Sequence, residues 1–374
     1  MRTRVLTLLG GFLGSTIAAS VTVAERPSLK DVFADDFRVG VALGTSQVMG
    51  KEPDAMHLAA RHFNTITNEN LLKWAEVHPE PERYHFESAD RFVEFGEKHG
   101  MWIVGHTLVW HSQTPDWVFE DAEGRPLDRE ALIERMRAHI HTIVGRYKGR
   151  VHAWDVVNEA VLDDGSWRET KWREIIGPDY IELAFRFAHE VDPEAELYYN
   201  DYNEWHAGKR AAIVRLVQDL QAKGVRIDGI GLQGHWGMDY PELEELDHMF
   251  TEYGKLGVKL MITELDVTVI PLPGRDTGAE VTRRGQAGSG MNPYPDGLPA
   301  DQQQALAERY AAFFRLFMKH RDKIDRVTFW GVHNGQTWRN NWPIPGRSDY
   351  PLLFDRQLQP KPAFDAVIEV ASER

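Results

Sequence analysis

Two glutamates, Glu159 and Glu264, each close a short apolar run of β-favouring residues, at 151–157 and 259–263. Hydrolysis of a glycosidic bond needs such a pair. One protonated carboxyl gives its proton to the departing oxygen while a second, ionised carboxylate attacks the anomeric carbon, and retention of configuration requires the two to lie about 5 to 5.5 Å apart. Asn158 directly precedes Glu159, and an amide there suits the 2-hydroxyl of a sugar, a contact that strengthens in the transition state. Carboxylates in such positions also bind metals or pair with arginine, so the pair gains meaning from its company. Other apolar runs end in similar clusters: Asn68-Glu69-Asn70 followed by Lys73 and Trp74; His106 followed by Trp110, His111 and Gln113; Asn200-Asp201-Tyr202-Asn203; Gln233, His235 and Trp236; and Trp330 followed by His333, Asn334 and Trp338. Burying a carboxylate is costly unless it is paired, so folding needs alone do not account for this repetition.

The elements that must position these groups recur along the chain. Strands are expected at 38–43, 63–68, 101–107, 151–157, 196–200, 229–232, 259–263 and 326–330, from their apolar, β-rich content. Helices with i, i+3, i+4 apolar spacing are expected at 89–100, 129–147, 178–191, 208–223, 240–253 and 300–320. Parallel strands need such crossovers, and eight strands of this kind close into an α/β fold, a single (β/α)8 TIM barrel. In that architecture the chemistry lies at the C-terminal ends of the strands, where the clusters fall. An open doubly wound sheet is the competing arrangement, but it would carry a glycine-rich phosphate turn after its first strand. Gly40, Gly44 and Gly50 do not have that spacing. The segment 268–299 is rich in glycine and proline and is expected as a long loop after strand 7. A loop of that length, when functional, shapes one end of a cleft; a tolerated surface insertion is the alternative.

The chain of 374 residues carries 57 acidic against 43 basic residues, a formal charge of −14. Nucleic-acid binding is driven largely by Lys and Arg, so no nucleic-acid partner is expected. There is no cysteine, which excludes disulfides, iron–sulfur clusters, thiolate zinc sites and a cysteine nucleophile. Twelve Trp and eleven Tyr supply flat faces for packing or for sugar rings; Trp74 and Trp154 read as packing. Arg2 and Arg4 precede a mostly apolar run from Val5 to Ala19 and small residues up to Ala24. This pattern is that of a signal peptide over 1–24, ahead of a catalytic domain over 25–374. Gly10, Gly11 and Gly14 interrupt the run, which falls short of the roughly 20 apolar residues of a membrane span. Export to the periplasm or the exterior is therefore expected, with no membrane association of the mature form. His139 and His141 have the spacing of some metal ligands, but i and i+2 on a helix face apart. No metal site and no cofactor is expected, and the expected state is a monomer.

The motifs NENLLKW at 68–74, GHTLVWH at 105–111, WDVVNEA at 154–160, NDYN at 200–203, GLQGH at 231–235 and ITELDV at 262–267 together resemble the retaining endo-β-1,4-xylanases of glycoside hydrolase family 10. The likeness extends over residues 29–368. It implies that Glu159 is the acid/base and Glu264 the nucleophile, with His235 hydrogen-bonded to Glu264 and itself oriented by Asp266. It implies that Asn158, His106, Gln233 and Lys73 bind hydroxyls on the non-reducing side of the cut, with Glu69 and Asn70 reaching the next sugar and Gln113 a further binding residue. Trp110, Trp330 and Trp338 would wall the cleavage subsite, and Tyr202 would lie toward the leaving group. Xylose lacks the hydroxymethyl arm of glucose, so aromatics crowding that position would favour xylan over cellulose. The chain departs from the family pattern at WGVHNGQTW, where Asn334 and Thr337 keep hydrogen-bonding capacity but remove a charge.

The reaction implied is a double displacement through a covalent xylosyl-enzyme intermediate, with xylan and xylo-oligosaccharides as partners. The negative charge of Glu264 is expected to raise the pKa of Glu159, and the coupled pair to give a bell-shaped pH profile. A related barrel hydrolase acting on another β-1,4-glucan would share both glutamates without needing the crowded subsite. A carbohydrate-binding protein without activity would have no use for both glutamates together with His235 and Asp266.

Overall fold

The computed structural model describes residues 26–275, 277–286 and 288–373; the signal peptide expected over 1–24 lies outside the described residues. Eight parallel strands form the centre: β1 (Arg38–Leu43), β2 (Thr65–Asn68), β3 (Trp102–Trp110), β4 (Ala153–Asn158), β5 (Glu196–Asp201), β6 (Gly229–Leu232), β7 (Lys259–Thr268) and β8 (Ile324–Phe329). Each pairs with its neighbours in sequence, and β8 pairs with β1 from Arg38↔Arg326 to Val41↔Phe329, which closes the ring. A helix follows each strand: α1 (Pro53–His62), α2 (Glu87–Lys98), α3 (Arg129–Arg146), α4 (Tyr180–Val191), α5 (Ala207–Ala222), α6 (Leu243–Gly254), α7 (Ala300–Lys319) and α8 (Pro362–Ala371). This is the (β/α)8 barrel that the alternation of strand and helix patterns implies.

The strands are buried on both faces because helices cover the outside and side chains fill the inside. Val104, Ala153, Tyr198 and Met261 pack as a cluster separate from the main core. Trp154 is fully buried, and a Cβ on Gly105 of the neighbouring strand would meet its ring at 2.2 Å. Only glycine lets the indole lie flat there, so Trp154 is a packing residue. Trp74 is likewise buried, stacked on the His139 ring at 3.5 Å between centroids. His141 instead lies beside Glu190 on the surface, so the two histidines of the 139–141 pair face different surroundings.

Two strands run further than the sequence pattern predicts. β3 continues to Trp110 with an irregular register between His106 and Val109. β7 continues to Thr268 because a three-residue strand, His235–Gly237, pairs with its last residues, His235 opposite Asp266. In both cases polar residues that face the barrel mouth interrupt the apolar pattern that marks a strand. Helices α1 and α8 are not expected from apolar periodicity; each opens on a proline in its first turn, the available signal for such a start.

Candidate active site

Glu159 and Glu264 meet at the C-terminal mouth of the barrel. Glu159 sits one residue beyond β4 and is 3 % exposed; Glu264, inside β7, is 4 % exposed. Trp110 Nε1 donates to Glu159 Oε2 at 2.8 Å, and Gln233 Nε2 donates to Glu159 Oε1 at 2.9 Å. On the other side Asn200 Nδ2 donates to Glu264 Oε1 at 2.9 Å and His235 Nε2 donates to Glu264 Oε2 at 3.1 Å. The two halves are tied by amides, since Asn200 Nδ2 also reaches Asn158 Oδ1 at 3.0 Å. Asn158 in turn donates to Glu159 Oε1 at 3.3 Å.

Behind Glu264 the chain of polar contacts continues. His235 Nδ1 donates to Asp266 Oδ1 at 3.0 Å, as the family resemblance implies. Asp266 also accepts from Arg339 Nε at 2.8 Å and from Trp338 Nε1 at 2.7 Å. Arg339 is 2 % exposed and is a site residue that sequence reasoning misses. An arginine in a polar loop gives no sign that it will be buried against an aspartate 73 positions earlier.

These surroundings drive the two carboxyls apart. Burial raises the pKa of Glu159, and its donors and the charge of His111 recover only part of that shift. Burial would raise Glu264 as well, but the His235 hydrogen bond and nearby positive charge, including Lys73, hold it below its ordinary value. The His235 imidazole is pushed up to about 9: burial opposes its charge, and Asp266 and Glu264 outweigh the burial. His235 is therefore a cation at neutral pH, donating from both nitrogens. The rise at Glu159 has the direction that the sequence suggests. Burial is the main cause, and the charge of Asp201 adds to it.

A narrow cavity opens on this pair, lined by Lys73, His106, Trp110, Asn158, Gln233, His235, Trp330 and Trp338. His106 is held by Asp155 at 2.9 Å, both buried; Asp155 is a second residue whose role sequence reasoning misses, although it lies inside the WDVVNEA motif. Lys73 Nζ donates to Asn70 Oδ1 at 2.9 Å and to Gln113 Oε1 at 3.0 Å, and lies 4.8 Å from the Trp110 ring centroid. Burial lowers the Lys73 pKa and raises that of its neighbour Glu69. Glu69, Asn70 and Gln113 stand outside the cavity lining, grouped around Lys73. Tyr202 is also set apart from the lining and accepts from Arg168 Nη2 at 2.8 Å.

The loop after β7 does shape one end of the cleft. Ala279 and Val281 line the cavity itself. Glu280 between them pairs with Arg168 Nη1 at 2.9 Å and His111 Nε2 at 3.1 Å, and its carbonyl accepts from Trp342 Nε1 at 3.0 Å. Burial would raise the Glu280 pKa, but the His111 contact and Arg168 charge bring it down to about 2. Nothing local in the sequence marks Glu280, because its partners come from two other loops. The departures Asn334 and Thr337 serve the loop after β8: Asn334 Oδ1 accepts from Leu352 N at 2.9 Å, and Thr337 Oγ1 caps the turn at Arg339 N.

Two buried carboxyls at the mouth of a parallel barrel, the pKa of one raised and that of the other lowered, are the equipment of a glycoside hydrolase. The model of glycosyl hydrolase family 10 matches residues 28–370, and the chain belongs to that family. It is 44 % identical to the endo-1,4-beta-xylanase A of Xylanibacter ruminicola, over 96 % of this chain and 97 % of that one. It is 44 % identical to an endo-1,4-beta-xylanase of Geobacillus stearothermophilus, over 92 % and 98 %. Among solved structures, a family 10 endoxylanase retrieved from a sugarcane soil metagenome matches with a TM-score of 0.90 at 48 % identity, over 92 % of this chain and 100 % of that one.

Proposed function

We propose that this protein is an endo-1,4-β-xylanase that cuts internal bonds of xylan with retention of configuration. The observation that carries this reading is the opposite displacement of the two buried carboxyls, Glu159 up and Glu264 down. Glu264 attacks the anomeric carbon while the Glu159 carboxyl gives its proton to the departing glycosidic oxygen. The xylosyl ester on Glu264 then holds one end of the chain, and the other end leaves. Glu159, now ionised, takes a proton from water as the water oxygen attacks the same carbon and frees Glu264. Loss of the Glu264 charge in the intermediate favours the ionised form of Glu159, which suits the second step.

Asn158 is assigned to the 2-hydroxyl of the sugar being cut, with Lys73, His106 and Gln233 on its remaining hydroxyls. Glu69, Asn70 and Gln113, grouped around Lys73, are assigned to the adjoining sugar, and Tyr202 to the leaving-group side. Trp338 supports the preference for xylan: its indole is anchored to Asp266 and flanked by Trp342 with centroids 4.5 Å apart, so it resists swinging aside for a hydroxymethyl group. The basic-then-apolar pattern of residues 1–24 supports export, and no described helix is long and apolar enough to cross a membrane. Closure of the barrel by β8 on β1 supports a single domain after residue 24.

The test is product release from linear xylan and from carboxymethyl cellulose by the mature chain and by Glu264→Ala. Short oligosaccharides from xylan alone, with activity in the variant lower by several orders of magnitude, are expected. Equal cleavage of cellulose refutes the substrate assignment, and an active variant refutes the nucleophile.

A further inference from the structure

Glu159 is a non-glycine residue in the left-handed region, with φ of 58°. Such a conformation is costly and persists only where the surroundings hold it. Its own N–H donates to Asn200 O at 2.9 Å, and its carbonyl accepts from Arg168 Nε at 3.0 Å. The next two N–H groups turn to side chains: Ala160 N donates to the Tyr199 hydroxyl at 3.0 Å and Val161 N to Asp201 Oδ2 at 3.4 Å. The Tyr199 hydroxyl itself donates to that same oxygen of Asp201. Asp201 Oδ1 is paired with Lys209 Nζ at 2.8 Å, and Tyr199, Asp201 and Lys209 are all fully buried. A strand alternates its side chains, so Tyr199 and Asp201 leave β5 on one face while Asn200, between them, turns to Glu264 and Asn158.

This arrangement is a poor choice for stability alone. Lys209 lies in the first turn of α5, where a cation opposes the helix dipole, and a buried ion pair is commonly no more stabilising than apolar residues of the same shape. What the three residues do fix is the peptide immediately after Glu159. A tilt of that peptide would swing the carboxyl away from the leaving oxygen.

We infer that Tyr199, carried by the Asp201–Lys209 ion pair, is a positioning residue for proton delivery by Glu159. The inference rests on the reading of Glu159 as the acid/base. It requires that loss of the Tyr199 hydroxyl hurt only those substrates whose leaving group must be protonated. Asp201 also adds, after burial, to the rise in the Glu159 pKa.

The experiment compares Tyr199→Phe with the wild type on phenyl β-xylobioside and on 2,4-dinitrophenyl β-xylobioside, which share a glycon; the dinitrophenolate departs without a proton. The variant should lose about 10- to 100-fold in kcat/KM on the phenyl substrate, the size expected for a misplaced catalytic group. On the dinitrophenyl substrate it should stay within about threefold. Glu159→Ala is the control, with the same leaving-group dependence in stronger form and rescue by azide. Asp201→Asn combined with Lys209→Met removes the buried charges together; it should move the alkaline limb of the pH profile downward, with thermal unfolding reporting that the fold is kept. If Glu159→Ala behaves as stated but Tyr199→Phe loses equally on both substrates, or on neither, the inference is overturned and the reading of Glu159 stands. If Glu159→Ala shows no leaving-group dependence, the assignment of the acid/base falls and the inference with it.

Discussion

His235 is the cation that joins Glu264 to Asp266, and its replacement by asparagine has a calculable signature. The imidazole moves from an ordinary pKa of 6.5 to about 9 in the folded chain. Each pKa unit corresponds to about 1.4 kcal/mol, so the charged form contributes about 3 kcal/mol to folding. Because the folded value lies above the unfolded one, the contribution is full below about pH 6.5 and is lost as the pH rises through about 9. His235→Asn keeps a donor for Glu264 but no charge. Unfolding free energies of wild type and variant, taken from denaturant titrations between pH 6 and 10, should therefore differ by about 3 kcal/mol more at the acid end than at the alkaline end. Glu264 loses the imidazolium charge that helps to hold its pKa down, so the acid limb of the kcat/KM profile should move to higher pH. A stability difference that does not vary with pH, together with an unmoved acid limb, would refute the claim that an imidazolium sits between the two carboxylates.

Other expectations follow from single contacts. Trp338→Ala removes a donor to Asp266 and one wall of the cavity; kcat/KM on xylan should fall about tenfold while the ratio of cello- to xylo-oligosaccharide cleavage rises, and an unchanged ratio would sink the crowding argument. Glu280→Ala leaves Arg168 and His111 without their shared partner. Since the Glu280 pKa falls from 4.5 to about 2, its stabilisation is present above about pH 4.5 and is lost as the pH drops toward 2; melting temperatures of the two proteins should converge over that range. Lys361 is buried beneath the carbonyls of Tyr350 and Leu352, and burial lowers its pKa from 10.5 to about 7. The unfolded chain then binds that proton more readily, so stability rises with pH between about 7 and 10.5, a slope that Lys361→Met should flatten in alkaline denaturation.

Much of this enzyme was legible in the sequence because its signals are local. Strand alternation and helical spacing act over a few residues, and they locate all eight strands and the six helices expected from periodicity. The polar residues at strand ends declare the mouth of the barrel, and Glu159 and Glu264 stand out because carboxylates rarely end apolar runs without a task. The ends of β3 and β7 were not legible, since a strand facing a polar site loses the alternation by which it is known. Nor could Asn334 and Thr337 be interpreted until Leu352 and Arg339 were seen beside them.

What the tertiary structure alone decided is the set of partners. Arg339 meets Asp266 across 73 positions, and Arg168 meets Glu280 across 112. Tyr199, Asp201 and Lys209 converge behind Glu159 because β4, β5 and α5 happen to share that corner of the barrel. The sequence names the groups able to do the chemistry, since that ability is a property of residue type. Their protonation depends on burial and on charges brought within a few ångströms by the fold. That is why Glu159 could be singled out from the chain, while the cause of its raised pKa came from its surroundings.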